Sequence, residues 1–194
     1  MPKAMTSQPA PHRFATQRAF ETWLRKNHAS SDGVWLLIAK PGADKPTVTY
    51  PEAVEVALCH GWIDGQVKKY DEKSWLQKFT PRRRRSLWSK RNVANAMRLI
   101  ECGRMMGAGL KEIEAAKNDG RWESAYDSPS GMKVPPDFLK ELSKDRKANA
   151  FFKTLDRANV YAIAWRLQTA RTPETRERRK KSVLEMLSKG EKFH

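Results

Sequence analysis

Cysteine is nearly missing from this chain. Only Cys59 and Cys102 stand among 194 residues. That is too few for a disulfide framework, and it fits a reducing compartment such as the cytoplasm. Histidine is also scarce. His12, His28, His60 and His194 show no ligand spacing, with one another or with the cysteines, so no metal site is expected. The glycine-rich signatures of nucleotide loops, G-x-x-x-x-G-K-[ST] and G-x-G-x-x-G, are absent, and no cofactor is expected. No apolar run approaches the ~20 residues of a membrane span. The opening residues MPKAMTSQPAPHR lack an apolar stretch, which predicts no signal peptide.

Negative charge is short as well. The 22 acids face 38 Lys and Arg, leaving a net charge of +16. Such an excess favours an anionic partner, whether nucleic acid, phospholipid or a phosphorylated ligand; the plainer reading is solubility alone. Hydrophobic residues make up 39% and there are seven Trp, which fits a folded globule with one core or two small ones.

What is present is apolar periodicity punctuated by Gly and Pro. Residues 1–13 read as a loose leader. Thr16 to Asn27 predicts a helix with Phe20, Trp23 and Leu24 on one stripe. Asp32-Gly33 turns the chain, and Val34 to Ala39 predicts a central strand buried on both faces. After a Pro/Gly-bearing loop, Thr47 to Tyr50 suggests a short edge strand. Pro51 and Glu52 then open a helix that Gly61 stops in a left-handed conformation. Trp62 to Tyr70 alternates, Asp71-Glu72-Lys73 is a polar turn, and Trp75 to Phe79 alternates back, which is a β-hairpin ended by Pro81.

Beyond Trp88 the period becomes helical. Val93, Ala96, Met97 and Ile100 predict one helix face; Leu110, Ile113 and Ala116 predict the next, closed by Gly120. An irregular connection runs from Trp122 to Pro136. Further helices follow at Pro136 to Leu142, at Ala148 to Leu155 capped by Asp145, at Asn159 to Thr169, and after the Thr172 cap, with Val183, Leu184 and Leu187 inward. The fold class is α+β: a small antiparallel sheet with covering helices over residues 14–87, packed on an all-helical 88–194 as one unit.

Gly61-Trp62-Ile63-Asp64-Gly65, the Asp71 to Arg82 run DEKSWLQKFTPR and Ser86 to Asn92, SLWSKRN, together resemble the YdeI/OmdA family, often labelled bacteriocin-protection. Gly103-Arg104-Met105 with Gly109, Arg121-Trp122, Val134-Pro135, and Ala170-Arg171 with Glu174-Thr175-Arg176 continue the likeness, which spans about Phe14 to Leu187. The resemblance implies an envelope-stress or bacteriocin-protection association and no assigned reaction. The family usually has Phe where His60 stands.

Asp64 is the candidate catalytic residue. On strand phase it shares a face with Trp62 and Gln66, and Arg82 or Arg83 could pair with it across the hairpin. The alternative is a structural Asp hydrogen-bonding backbone before Gly65. Arg82 to Arg91 holds six basic residues and no acid. Thr80, Arg82, Arg83, Ser86 and Ser89 would bind an anion before a helix start, Trp88 would stack and Asn92 would read an edge. The plainer alternative makes Trp88 core, Ser86 and Ser89 caps and the arginines solvated. A second basic block, Arg171 to Lys181, puts Arg176, Arg179 and Lys180 on one helix side beside Arg171. Cys59 and His60, about 100° apart on a helix, do not form a nucleophile pair.

Three functions follow. The first is binding of nucleic acid or another anionic ligand at the FTPR and SLWS elements. The second is an enzyme with a cleft around Asp64 between the two halves. The third is an envelope-stress protein contacting anionic lipid.

Overall fold

Thr16 begins the first helix by chemistry local to it. Its backbone is extended and its hydroxyl accepts the Ala19 N–H, so α1 runs Gln17–Asn27 with Phe20 and Leu24 fully buried. The computed structural model describes residues 10–128 and 131–194. It is an α+β fold with a three-stranded antiparallel sheet. The chain divides into two units. One runs to Ser86 and takes in Asn92–Trp122; the other holds Leu87–Arg91 and Glu123–His194. The first nine residues of the expected leader lie outside the described residues.

In the first unit the strands are β1 (Val34–Ala39), β2 (Trp62–Lys69) and β3 (Ser74–Pro81), in the order β1-β3-β2. The hairpin forms as its alternation predicts, with Asp71 Oδ1 accepting from the Lys73 N–H and the Ser74 hydroxyl to hold the turn. The apolar β1 is not central, however. The hairpin's return strand inserts beside it, pairing Val34 with Phe79 through Ala39 with Ser74, so β3 is central. The far edge of β1 meets a short bridge, in which His12 N–H donates to Trp35 O (2.7 Å) and Leu37 N–H donates to His12 O (2.9 Å), and its last residue, Ala39, donates its N–H to the Thr47 hydroxyl (2.9 Å).

Helices α1 and α2 (Tyr50–Cys59) cover one face of the sheet, where Phe20 meets Phe79 (5.7 Å between ring centroids) and Trp23 stands edge-on to Trp62 (6.0 Å). The opposite face carries Trp35, with the Lys68 and Lys78 ammonium groups 4.7 and 5.8 Å from its ring centre. A bulge interrupts β2. Asp64 pairs with Phe79 and Val67 with Gln77, so two residues, Gly65 and Gln66, oppose Lys78. The extra residue moves Gln66 out of phase with Asp64, and Val67 takes that place. The buried Gln77 side chain donates to the Gly65 carbonyl at 3.1 Å.

Thr47 to Tyr50 is not a strand. Thr49 is extended because it caps α2 (Tyr50–Cys59) in a reciprocal capping box with Glu52. Gly61 ends α2 at φ 72, as its sequence position predicts. Helix α3 (Lys90–Glu101) buries Ala96 and Leu99, leaving Met97 and Ile100 exposed. Helix α4 (Gly107–Asn118) buries Gly109, Ile113 and Ala116, with Leu110 exposed. In α4 the phase follows from close approach. An added Cβ at Gly109 would lie 2.6 Å from the carbonyl oxygens of both Leu58 and Cys59. Gly109 therefore faces α2, and Leu110, about 100° around the helix, points away.

The second unit is helical: α5 (Pro136–Leu142), α6 (Arg146–Phe152), α7 (Arg157–Gln168) and α8 (Pro173–Ser188). Its core joins Phe138, Leu142, Ala148, Ile163, Leu167, Val183 and Leu187. Asp145, Asp156 and Thr172 cap three of the helices. Buried Asn159 accepts the Phe193 and His194 N–H groups and ties down the C-terminal residues. Among the described residues no helix is long and apolar enough to cross a membrane.

Candidate functional site

The site is built where β3 runs out of ladder. Past Pro81 the Arg82 N–H still donates to Gly61 O (3.0 Å), which carries the β2–β3 pairing one step further. A tight turn then closes on itself: Arg83 N–H donates to the Ser86 hydroxyl (2.9 Å) and Ser86 N–H to Arg83 O (2.8 Å). Ser86 is thus a turn closer and not a helix cap. The turn splits the arginines. Arg82 is buried, at 7% exposure, while Arg83, Arg84 and Arg85 are all exposed. Among the described residues these three form no ion pair.

A second buried arginine belongs to the same unit. Arg121, at 4% exposure, donates from Nη1 to Ser86 O (2.9 Å) and from Nε to both carboxylate oxygens of Asp119 (2.7 Å). Half-buried Glu112 on α4 has its carboxyl pushed up by burial, a shift opposed by the nearby charges of Arg82 and Arg121. Buried Arg121 so braces the turn that presents three exposed arginines. Glu112 and Asp119 escape sequence reasoning because each lies in an ordinary helical pattern. Arg121 stands out only within the Arg121-Trp122 motif, just past the Gly120 helix stop.

The other expected residues fall in several places. Trp62 is fully buried, with its indole N–H donating to His28 O (3.2 Å). Half-buried Asp64 accepts the Tyr50 hydroxyl at 2.7 Å, which ties the start of α2 to β2. Thr80 pairs with Ile63 and occupies the opposite sheet face, its methyl against Gly33. Asn92 is half-buried in α3. In the second unit Trp88 is buried, and its carbonyl accepts the Tyr126 N–H (3.0 Å); Ser89 bridges Tyr126. The Lys90 ammonium pairs with Asp127 at 2.7 Å and, with Gln168, holds that carboxyl below the usual range.

The second basic block is largely engaged within its own unit. Arg176 forks onto Asp137 with two 2.7 Å bonds. Arg179 donates to Arg166 O (2.7 Å) and to the Thr169 hydroxyl (3.3 Å). Lys180 pairs with Glu177 at 2.8 Å. Arg171, Arg178 and Lys181 are exposed.

Burial pushes the Cys59 thiol up to about 11. His60 caps the end of α2; burial lowers its pKa, and His28, 5.3 Å away between ring centroids, adds to the shift. Among the described residues no group of three or more His, Cys, Asp or Glu is placed to hold a metal.

Residues 12–112 match the family model described as Domain of unknown function (DUF8412). Residues 131–190 match the one described as Bacteriocin-protection, YdeI or OmpD-Associated. No curated protein and no solved structure matches the chain.

Proposed function

We propose, for a chain that belongs to the family of that domain of unknown function and carries the bacteriocin-protection, YdeI or OmpD-associated domain, that it binds an anionic partner, nucleic acid or a phosphorylated ligand, through the Arg83–Arg85 turn. One observation carries this reading: three consecutive exposed arginines, with no acid partner among the described residues, sit on a turn closed by Ser86 and braced by buried Arg121. A fixed turn lets guanidinium forks meet phosphate oxygens with less ordering cost than loose side chains. Each phosphate contact releases condensed counterions, so binding weakens as salt rises. The reading also favours a compartment that keeps the exposed Cys102 as a thiol, such as the cytoplasm.

The test is fluorescence anisotropy of a labelled single-stranded oligonucleotide across a salt series, with the wild type and with Arg83→Ala/Arg84→Ala/Arg85→Ala. Three lost contacts at about 0.7 counterions each should reduce the slope of log affinity against log salt by about 2, while the melting temperature stays nearly unchanged. The phosphorylated-ligand arm repeats the titration with a nucleoside triphosphate. If the triple variant binds both probes as tightly as the wild type, with the same slope, the turn is not the site.

A further inference from the structure

The first unit holds a cavity of about 270 Å³ at the other end of the sheet, between the end of β1, the loop over residues 40–47 and the hairpin turn. Helical stops and arginine runs play no part in it. Strand β3 separates it from the Arg83–Arg85 turn: the cavity touches Ser74, the strand's first residue, and the turn follows Pro81, its last. Eight residues of strand put roughly 23 Å between them.

Leu37, Ala39 and Ala43 give the cavity an apolar lining. Its charged residues are Arg13, Lys45 and Lys73 against Asp44 and Asp71. The two acids are already engaged. Asp71 accepts from the Lys73 N–H (2.8 Å) and the Ser74 hydroxyl (2.7 Å), and the Ser74 bond, followed by its backbone bonds, holds its carboxyl below the usual range. Asp44 pairs with the Lys73 ammonium at 2.8 Å, but both side chains are mostly exposed, so the pair is a weak clasp. The cations are less committed. Among the described residues Arg13 makes one side-chain hydrogen bond, from Nη2 to Pro46 O (3.1 Å), and Lys45 makes no ion pair. The balance of unmet charge in an apolar-lined cavity is therefore positive.

We infer that this cavity is a second ligand site, for a small amphiphilic anion: one ring or short branched body on Leu37, Ala39 and Ala43, bearing one carboxylate or phosphate for Arg13 and Lys45. The volume lies just below the range of drug-sized pockets, which limits the body to about a single ring. The Asp44–Lys73 pair competes with the ligand's anionic group for Lys73, so the free protein holds its own mock ligand at the rim.

Calorimetric titration of the full chain with benzoate and with phenyl phosphate tests this, against benzamide and inorganic phosphate as the uncharged and body-less controls. One or both amphiphilic anions should saturate a single site, the better binder naming the headgroup, and both controls should bind at least about tenfold more weakly. Arg13→Ala should weaken binding about tenfold. Asp44→Asn should tighten it severalfold by releasing Lys73. Ala43→Leu, which fills the cavity and removes no charge, should abolish it. The Arg83–Arg85 triple variant should bind as the wild type does, which separates this site from the turn. Absence of saturable binding up to roughly 10 mM, inorganic phosphate binding as well as phenyl phosphate, unchanged affinity in Ala43→Leu, or loss of binding in the triple variant would each overturn the assignment.

Discussion

Gly109→Ala sets two ordinary effects against each other, and the structure decides between them. Gly109 lies inside α4, where alanine is the better helix former by about 0.5–1 kcal/mol. At this position, however, an added Cβ would lie 2.5 Å from Met105 Sδ and 2.6 Å from the carbonyl oxygens of Leu58 and Cys59. The methionine sulfur can swing aside. The two carbonyls cannot, since they belong to the last turn of α2, and the Cys59 oxygen accepts the Met106 N–H at 3.2 Å. Relief requires α4 to back away by most of an ångström, with loss of packing along Ile113 and Ala116. Overpacking of this kind costs about 1–3 kcal/mol, occasionally more. The net effect is a destabilisation of about 1–2 kcal/mol, opposite in sign to helix propensity. For a chain of this length that is a fall in melting temperature of roughly 2–8 °C by circular dichroism. Gly107→Ala is the internal control. It lies on the same helix, and a Cβ added there would meet nothing within 4 Å, so it should be neutral or slightly stabilising. If Gly109→Ala melts at or above Gly107→Ala, the close approach of α4 to α2 is wrong, and the placement of Glu112 one turn further along goes with it.

Two further outcomes follow from the titrating groups. Burial, helped by His28, lowers the His60 pKa below 6.5 in the folded chain. The unfolded chain therefore takes up the proton first as pH falls, and stability drops from about pH 6.5 downward, by at most about 1.4 kcal/mol per pH unit. Urea midpoints measured between about pH 5 and 7 should fall with acid in the wild type and stay flatter in His60→Gln; identical slopes in the two would show that His60 is not held neutral. For the thiols, a disulfide reagent at mildly alkaline pH should modify one cysteine quickly, exposed Cys102, while buried Cys59, pushed up to about 11, reacts only on unfolding. A fast phase that survives Cys102→Ser would contradict this.

Local chemistry is legible in the sequence, and relations between distant segments are not. Thr16, Asp145 and Thr172 announce helix starts, and Gly61 and Gly120 announce stops that both adopt positive φ. The hairpin follows from alternation around a polar turn. The central place of β3 does not, since apolar β1 looks more buried than the amphipathic strand that displaces it. Nor can a period of two reveal a bulge, so simple alternation puts Gln66 on the wrong face. Met97 and Ile100 look as apolar as Leu99, yet the helix turns Leu99 inward. The candidate site divides in the same way. The arginine run is plain as composition, but the burial of Arg82 under three exposed neighbours, its charge acting on Glu112, and the bond from Arg121 to Ser86 O depend on contacts some 30 to 40 positions apart.

The short bridge at His12 bears on self-association. VWLLIA in β1 is a six-residue segment without charge, proline or glycine, the composition that stacks readily into intermolecular sheets. Its inner edge is sealed by β3, while its outer edge is covered, among the described residues, by two hydrogen bonds around His12 and one from the Ala39 N–H to the Thr47 hydroxyl. A handful of residues ahead of α1 thus act as a sheath over an adhesive strand. Loss of that cover would uncover a template for pairing between copies of the chain, which the large positive charge opposes.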